Sequence, residues 1–197
     1  MSSNPIKIIL NSSNWDDFVK SLYNLGNSPE NKKIKGDAFE YLTKFFLELH
    51  PLFSLEFKKI YHHSELPLSI RDELKLPHPE IGVDLIANCI DNSYCAIQCK
   101  FHQDPDENVT YNELSTFFSV TERKETINKL SHRLISTSAN SIGKKVRKIH
   151  PEKLGYLTHS DFQTLDSNFF KNIHSKIIGN KPIFKPFYPR QHQIQAI

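Results

Sequence analysis

The twenty residues from Ile81 to Lys100, IGVDLIANCIDNSYCAIQCK, constrain this chain more than any other stretch. Two apolar runs flank Cys89-Ile90-Asp91-Asn92, whose Asp-Asn pair is a turn signal, so the segment reads as two short strands joined tightly. Side chains alternate between faces along a strand. Gln98 and Lys100 therefore share a face with Ala96, while Cys95, Ile97 and Cys99 share the other. On the first strand Asp84 stands among apolar neighbours in Gly82-Val83-Asp84-Leu85-Ile86. A carboxylate, an amide and an ammonium on buried strands must each find a partner or cost stability.

The rest of the chain supplies elements that can surround such a hairpin. With 197 residues, 38% of them hydrophobic, the chain can bury one good core, and one domain with a tail is expected. Ile6 to Leu10 reads as a short strand or arm. Asn14-Trp15-Asp16-Asp17 opens an amphipathic helix that Gly26 ends. Ser28-Pro29-Glu30 starts a second helix running to Leu49 and closed by Pro51. Phe53 to Tyr61 reads as a strand, Leu66 to Pro79 as a proline-bounded loop with one helical turn, and Gln103 to Thr110 as a polar loop. A third helix is expected over Tyr111 to Leu130, a strand over Arg133 to Ser136 and a basic helix over Ala139 to His150. Leu154 to Leu157 is a further strand, Ser160-Asp161 caps a turn, and Asp166 to His174 is helical. The remainder is punctuated by proline and reads as a linker. Mixed strands and helices make the class α/β.

Spacing places three polar positions for chemistry. Asp84 precedes Gln98 by about a strand, a turn and most of a second strand, which brings the two polar faces together near one end of the hairpin. A carboxylate and an amide oxygen suit a hard cation such as Mg²⁺, and the backbone carbonyl of Cys99 can add a third oxygen. Lys100 can orient a water or face a phosphate. An exposed edge strand accounts for the same residues, with Asp84 accepting from backbone groups and Lys100 reaching out to water. Glu40, in KGDAFEYLTKFFLEL, flanks the apolar stripe of its helix and can reach the sheet. Asp37-x-x-Glu40 also has the form of a capping box, and Gly36 marks either a helix break or a close approach.

Taken together, Glu40 on a helix, Gly82 to Ala87 on one strand and Ala96-Ile97-Gln98-Cys99-Lys100 on the next resemble the PD-(D/E)xK nuclease superfamily. The nearest pattern is its Mrr-like branch, in which Gln replaces the second acidic residue. Val83, not proline, precedes Asp84, a departure usual in that branch. The resemblance implies a restriction-endonuclease-like core, a mixed sheet of four or five strands flanked by helices. It implies that Asp84 and Gln98 bind the divalent metal with the Cys99 carbonyl, that Glu40 assists, and that Lys100 is catalytic. The cofactor it implies is Mg²⁺, with Mn²⁺ as a substitute. KGDAFEYLTKFFLELHPLF and SDFQTLDSNFF look like the opening helix and closing segment of the nuclease domain that precedes helicase motors in type ISP restriction enzymes. The final PFYPRQHQIQAI looks like the lead-in to a superfamily 2 helicase, with Arg190, Gln193, Ala196 and Ile197 at its marked positions.

The expectation is therefore an Mrr-like endonuclease domain over residues 1–178, then a linker and the start of a truncated helicase over 179–197. It would be a Mg²⁺-dependent DNA endonuclease from a bacterial restriction or defence helicase-nuclease. Its partners would be double-stranded DNA and the motor, methyltransferase and target-recognition regions of a longer chain, with ATP used only in the missing motor. Two other readings stand beside this one: a silent module that binds DNA or braces the motor, and a structure-specific junction nuclease.

Other features are weaker. The net charge of +3 permits a nucleic-acid partner without demanding one. Lys144 and Lys145 lie in a basic cluster that reads as a solvated face or as phosphate contacts to DNA. The histidines at 62, 63, 78 and 102 are dispersed and read as surface or loop residues, as does Glu80. Ser138 and Ser141 have no nearby base. Three cysteines confined to the hairpin read as buried thiols in a reducing compartment. The N-terminal apolar run is too short for a signal peptide or a membrane span, so the expected location is the cytoplasm.

Overall fold

The computed structural model describes residues 4–77, 82–148 and 153–182. Three helices come first: α1 (Pro5–Leu10), α2 (Trp15–Tyr23) and α3 (Pro29–Leu49). Each is started by a side chain that takes up a free backbone N–H: Asn4 accepts from Ile6, Asn14 from Asp17 and Ser28 from Asn31. Ile6 to Leu10 is thus helical, not the strand or arm that the sequence suggests. An apolar run this short does not declare its period. The Asn4 cap and Pro5 at the first helical position decide it, and Ile8 and Ile9 are buried as a result.

α3 is continuous through Gly36, where an added Cβ would meet nothing within 4 Å, so this glycine marks neither a break nor a close approach. Asp37 and Glu40 lie inside the helix, which removes the capping-box reading. Asp37 instead pairs with Lys33 one turn earlier, at 3.0 Å.

Phe53 to Leu55 forms a single 3-10 turn, and β1 (Phe57–His62) follows it. Then come α4 (Leu68–Glu73), β2 (Leu85–Cys89), β3 (Tyr94–Lys100) and β4 (Asn108–Val109). In place of one long helix over 111–130 there is a 3-10 turn and two short helices, α5 (Ser115–Thr121) and α6 (Lys124–Ile127). The break has a cause on each side. Arg123 is extended, and Leu130 is drawn into the sheet opposite Tyr94 as the first residue of β5 (Leu130–Thr137). The expected basic helix is also broken up, into β6 (Ser141–Ile142) and α7 (Lys144–Arg147), because Ser141 and Ile142 pair in parallel with Asn108 and Val109. β7 (Leu154–Leu157), α8 (His159–Phe162) and α9 (Ser167–Ile177) complete the order. Thr158 and Asp161 form the capping box of α8, and Asp166 caps α9.

The main sheet has the order β1-β2-β3-β5-β7. The first three strands are antiparallel neighbours, and β3, β5 and β7 are parallel. This is the mixed, helix-flanked sheet expected. Helices cover both faces. Phe18, Phe39, Phe46, Phe162 and Phe170 pack with Leu85, Cys95 and Ile97 on one side, while Ile70, Phe117, Phe118 and Val146 pack with Ile86, Ala96 and Ile135 on the other. The period-two assignment of β3 therefore holds. All three cysteines are free and buried, as read from the sequence. His78, Glu80 and residues 183–197, with Arg190, Gln193, Ala196 and Ile197, lie outside the described residues.

Gly82 sets the approach of the chain to β2. Its φ is +75°, and a Cβ there would fall 2.8 Å from the backbone of Thr116 and Phe117. Gly82→Ala should therefore destabilise the fold by about 2–4 kcal/mol, combining left-handed strain with a backbone clash. Urea denaturation checks this as a lower midpoint at unchanged slope.

Candidate active site

Asp84 continues the strand ladder one residue before β2. Its N–H donates to the Ile97 carbonyl at 3.0 Å, and its carbonyl accepts from His63 N–H at 2.9 Å. Held on both sides, its side chain is only 6% exposed. Asp84 Oδ2 accepts the Cys99 N–H at 2.6 Å and the Gln98 Nε2 amide. The polar ends of the two strands thus meet as their spacing requires. Gln98, 4% exposed, gives its nitrogen to Asp84 and grazes the Cys99 carbonyl at 3.5 Å. Its amide oxygen has no hydrogen-bond partner among the described residues.

Glu40 arrives from α3. Its Oε2 lies 2.7 Å from His62 Nε2, at the end of β1, and His62 Nδ1 meets Ser64 Oγ at 2.9 Å. The imidazole stacks on the Tyr41 ring, with centroids 5.1 Å apart. Thr43 Oγ1, one turn further along α3, hydrogen-bonds Ser136 Oγ at 2.9 Å, so the helix is tied to β5 directly behind the site. Ser136 in turn stands opposite Cys99 in the register of β3 and β5.

Lys100 ends β3, and its carbonyl accepts Ser138 N–H at 3.3 Å. Its ammonium makes no hydrogen bond or ion pair with another described residue. Burial, with the Asp84 and Glu40 charges adding to it, pushes the neighbouring Cys99 thiol well above its ordinary pKa, so that thiol is neutral packing. Glu40, Asp84, Gln98, Cys99 and Lys100 line one cleft of about 550 Å³. Every residue proposed for the metal and lysine site is brought to it. Lys144 and Lys145 are not: they are exposed outside its lining, and the Lys145 ammonium sits 4.2 Å from the Tyr111 ring centroid.

Several residues of this region escaped sequence reasoning. His102 is no stray loop histidine, since Nδ1 meets Glu107 at 2.8 Å and Nε2 meets Glu113 at 3.2 Å, all three lining the cleft. His62 orients Glu40, and His63 is buried with Nδ1 3.1 Å from the Val83 carbonyl. Lys32 and Lys35 of α3 also line the cleft. Lys35 lies five residues before Glu40, off the three- or four-residue spacing that shares a helix side, so spacing alone did not announce it. Ser138 acts structurally, because its hydroxyl donates to the His102 carbonyl and accepts the His102 N–H, clamping the exits of β3 and β5 together. Among the described residues no group of three His, Cys, Asp or Glu side chains can hold a metal, so any ion here must use amide and carbonyl oxygens as well.

Residues 48–172 match the family model Mrr_cat_2, described as restriction endonuclease. The chain belongs to this Mrr-like restriction endonuclease family. The matched span carries Asp84, Gln98 and Lys100 but begins after Glu40, so the resemblance read from QxK is upheld and the helix glutamate rests on geometry alone. A solved structure, the ATP-dependent Type ISP restriction-modification enzyme LlaBIII bound to DNA, superposes on 94% of the chain at 20% identity and a TM-score of 0.61. The chain spans only 10% of that enzyme. The likeness shows the fold, a restriction-endonuclease-like α/β core. No curated protein matches the chain in sequence. Among the described residues, no helix of this nuclease domain is long and apolar enough to cross a membrane.

Glu113 carries a testable electrostatic consequence. Burial works to raise its pKa, but hydrogen bonds from the Thr110 side chain and backbone, with the charges of His102 and Lys100, bring it below the ordinary 4.5. A depressed folded value means that ionised Glu113 stabilises the fold above that pH and loses its contribution as pH falls through the folded value. The melting temperature of the wild type should therefore fall more steeply between about pH 5 and 3 than that of Glu113→Gln, as read by circular dichroism.

Proposed function

We propose that this chain is a Mg²⁺-dependent DNA endonuclease domain of a restriction helicase-nuclease. The observation that carries the reading is the convergence of Asp84, Gln98, Glu40 and Lys100, from two strands and a helix, on one cleft. The donor set fits a hard cation. Asp84 and Glu40 offer carboxylates, Cys99 a carbonyl, and Gln98 an amide oxygen with no protein partner among the described residues. These four residues would hold Mg²⁺, or Mn²⁺ in its place. When bound, the ion supplies positive charge against the phosphate and makes water a better nucleophile at neutral pH.

The chain's own groups do the rest. Asp84 is fixed by the Cys99 N–H and the Gln98 amide, so it needs no reorganisation on binding. His62 holds Glu40 toward the cleft. Lys100, uncommitted to any carboxylate, can donate to a non-bridging phosphate oxygen and orient the attacking water. Water adds to phosphorus opposite the 3′-oxygen, which leaves with a proton, giving a 5′-phosphate and a 3′-hydroxyl. One such site nicks one strand, so a double-strand break requires two domains.

This reading takes double-stranded DNA as substrate and adds a motor, methyltransferase and target-recognition region in a longer chain; the likeness to an ATP-dependent, DNA-bound type ISP restriction-modification enzyme, of which this chain spans a tenth, supports it. On that reading ATP serves the motor alone, and the protein works in the cytoplasm.

The test is cleavage of supercoiled and linear DNA with Mg²⁺ or Mn²⁺. Asp84→Ala and Lys100→Ala should each lower the rate by at least about a hundredfold, and chelation should abolish it. Cleavage at the wild-type rate by either variant would sink the assignment. DNA binding without cleavage would favour a silent binding module, and a preference for branched over linear DNA a junction nuclease.

A further inference from the structure

The cleft face of α3 bears charge that the metal and lysine site does not use. Lys32, Lys35, Gly36 and Glu40 line it together. Lys35 is only 3% exposed, so most of its side chain is packed against the protein where it lines the cleft. Its one partner among the described residues is Asn27 Oδ1, at 2.9 Å. An ammonium has three protons to give, and no carboxylate among the described residues accepts one here. Burial, with the Lys32 charge beside it, pushes Lys35 below its ordinary pKa.

Lys32 makes no hydrogen bond or ion pair with another described residue. The contrast within the same helix is informative. Lys33 meets Asp37 at 3.0 Å, and Lys44 meets Glu65, while the two lysines that face the cleft have no counter-charge among the described residues. A partly buried charge with no counter-charge costs stability, and one that lines a cleft can be matched by an anionic ligand. Gly36, between these lysines and Glu40, leaves open space above the helix backbone, since a Cβ there would meet nothing.

We propose that Lys35, steadied by Asn27 and joined by Lys32, is a phosphate-binding subsite that grips the nucleic-acid backbone beside the phosphate served by Lys100. The ligand class is a phosphodiester, and the subsite rests on the nuclease reading above. Lys35 and Lys32 touch the backbone without reading bases, so their contribution is electrostatic and independent of DNA sequence. Lys35 is the anchored half, and exposed Lys32 the adaptable half.

The experiment measures binding of a fluorescein-labelled duplex to the whole 197-residue chain by anisotropy, in chelator, between about 50 and 200 mM salt. Lys35→Met should weaken binding about tenfold and reduce the magnitude of the log–log salt slope by about 0.9, the value for one phosphate contact. Lys35→Arg should keep most of the slope. Lys32→Ala, at an exposed position that does not threaten folding, should lower it by a similar step. A slope unchanged in both Lys35→Met and Lys32→Ala overturns the subsite. If those variants bind as the wild type does while Asp84→Ala abolishes cleavage, the subsite alone falls. If the wild type neither binds nor cuts DNA, the nuclease reading falls and the subsite with it.

Discussion

The site depends on one interaction: the Asp84 carboxylate accepting the Cys99 backbone N–H. It joins the start of β2 to the end of β3, so the residue that carries the charge also fixes the position of its neighbours. At 6% exposure this carboxylate takes up a strand N–H and a side-chain amide. The same bonds lock its direction. Around it, Ile97 and His63 hold the Asp84 backbone from both sides, and the closeness of Gly82 to the α5 backbone sets where the chain enters. Moving any of these would move the carboxylate.

A second constraint is the distribution of counter-charge across the cleft. His102 is held between Glu107 and Glu113, and Glu40 meets His62. Lys32 and Lys35, on the same helix as Glu40, and Lys100 at the end of β3 have no ionic partner among the described residues. Glu40, Glu107 and Glu113 thus meet imidazoles and Asp84 an N–H and an amide, while the three lysines meet no carboxylate among the described residues. A polyanion fits that asymmetry without any net basicity of the chain, which carries only +3 overall.

Legibility from sequence followed distance along the chain. The two faces of β3 were readable because alternation is a local property, and Asp84, Gln98 and Lys100 belong to one hairpin. α3 was readable because Ser28 and Pro29 mark its start. The Glu40–His62 pair and the Thr43–Ser136 bond were not, since nothing local announces a partner on a distant strand. Short segments failed for the opposite reason. Ile6 to Leu10 carries too few residues to declare a period, and Ser141-Ile142 becomes a strand only because Asn108-Val109 lies beside it.

What the sequence determined by itself is the hairpin and the polar groups it carries. Period-two alternation and a turn signal place a carboxylate, an amide and an ammonium at the same end, and the family match spans those residues. Only the tertiary structure decided that β3 is an interior strand and not an edge. β5 covers the far side of β3, α3 delivers Glu40 and two lysines, and the whole set closes on one cleft. The physical reason is that burial and counter-charge are properties of packing between elements. No local spacing can show that Lys35 lacks an acidic partner, or that Asp84 has already found its own.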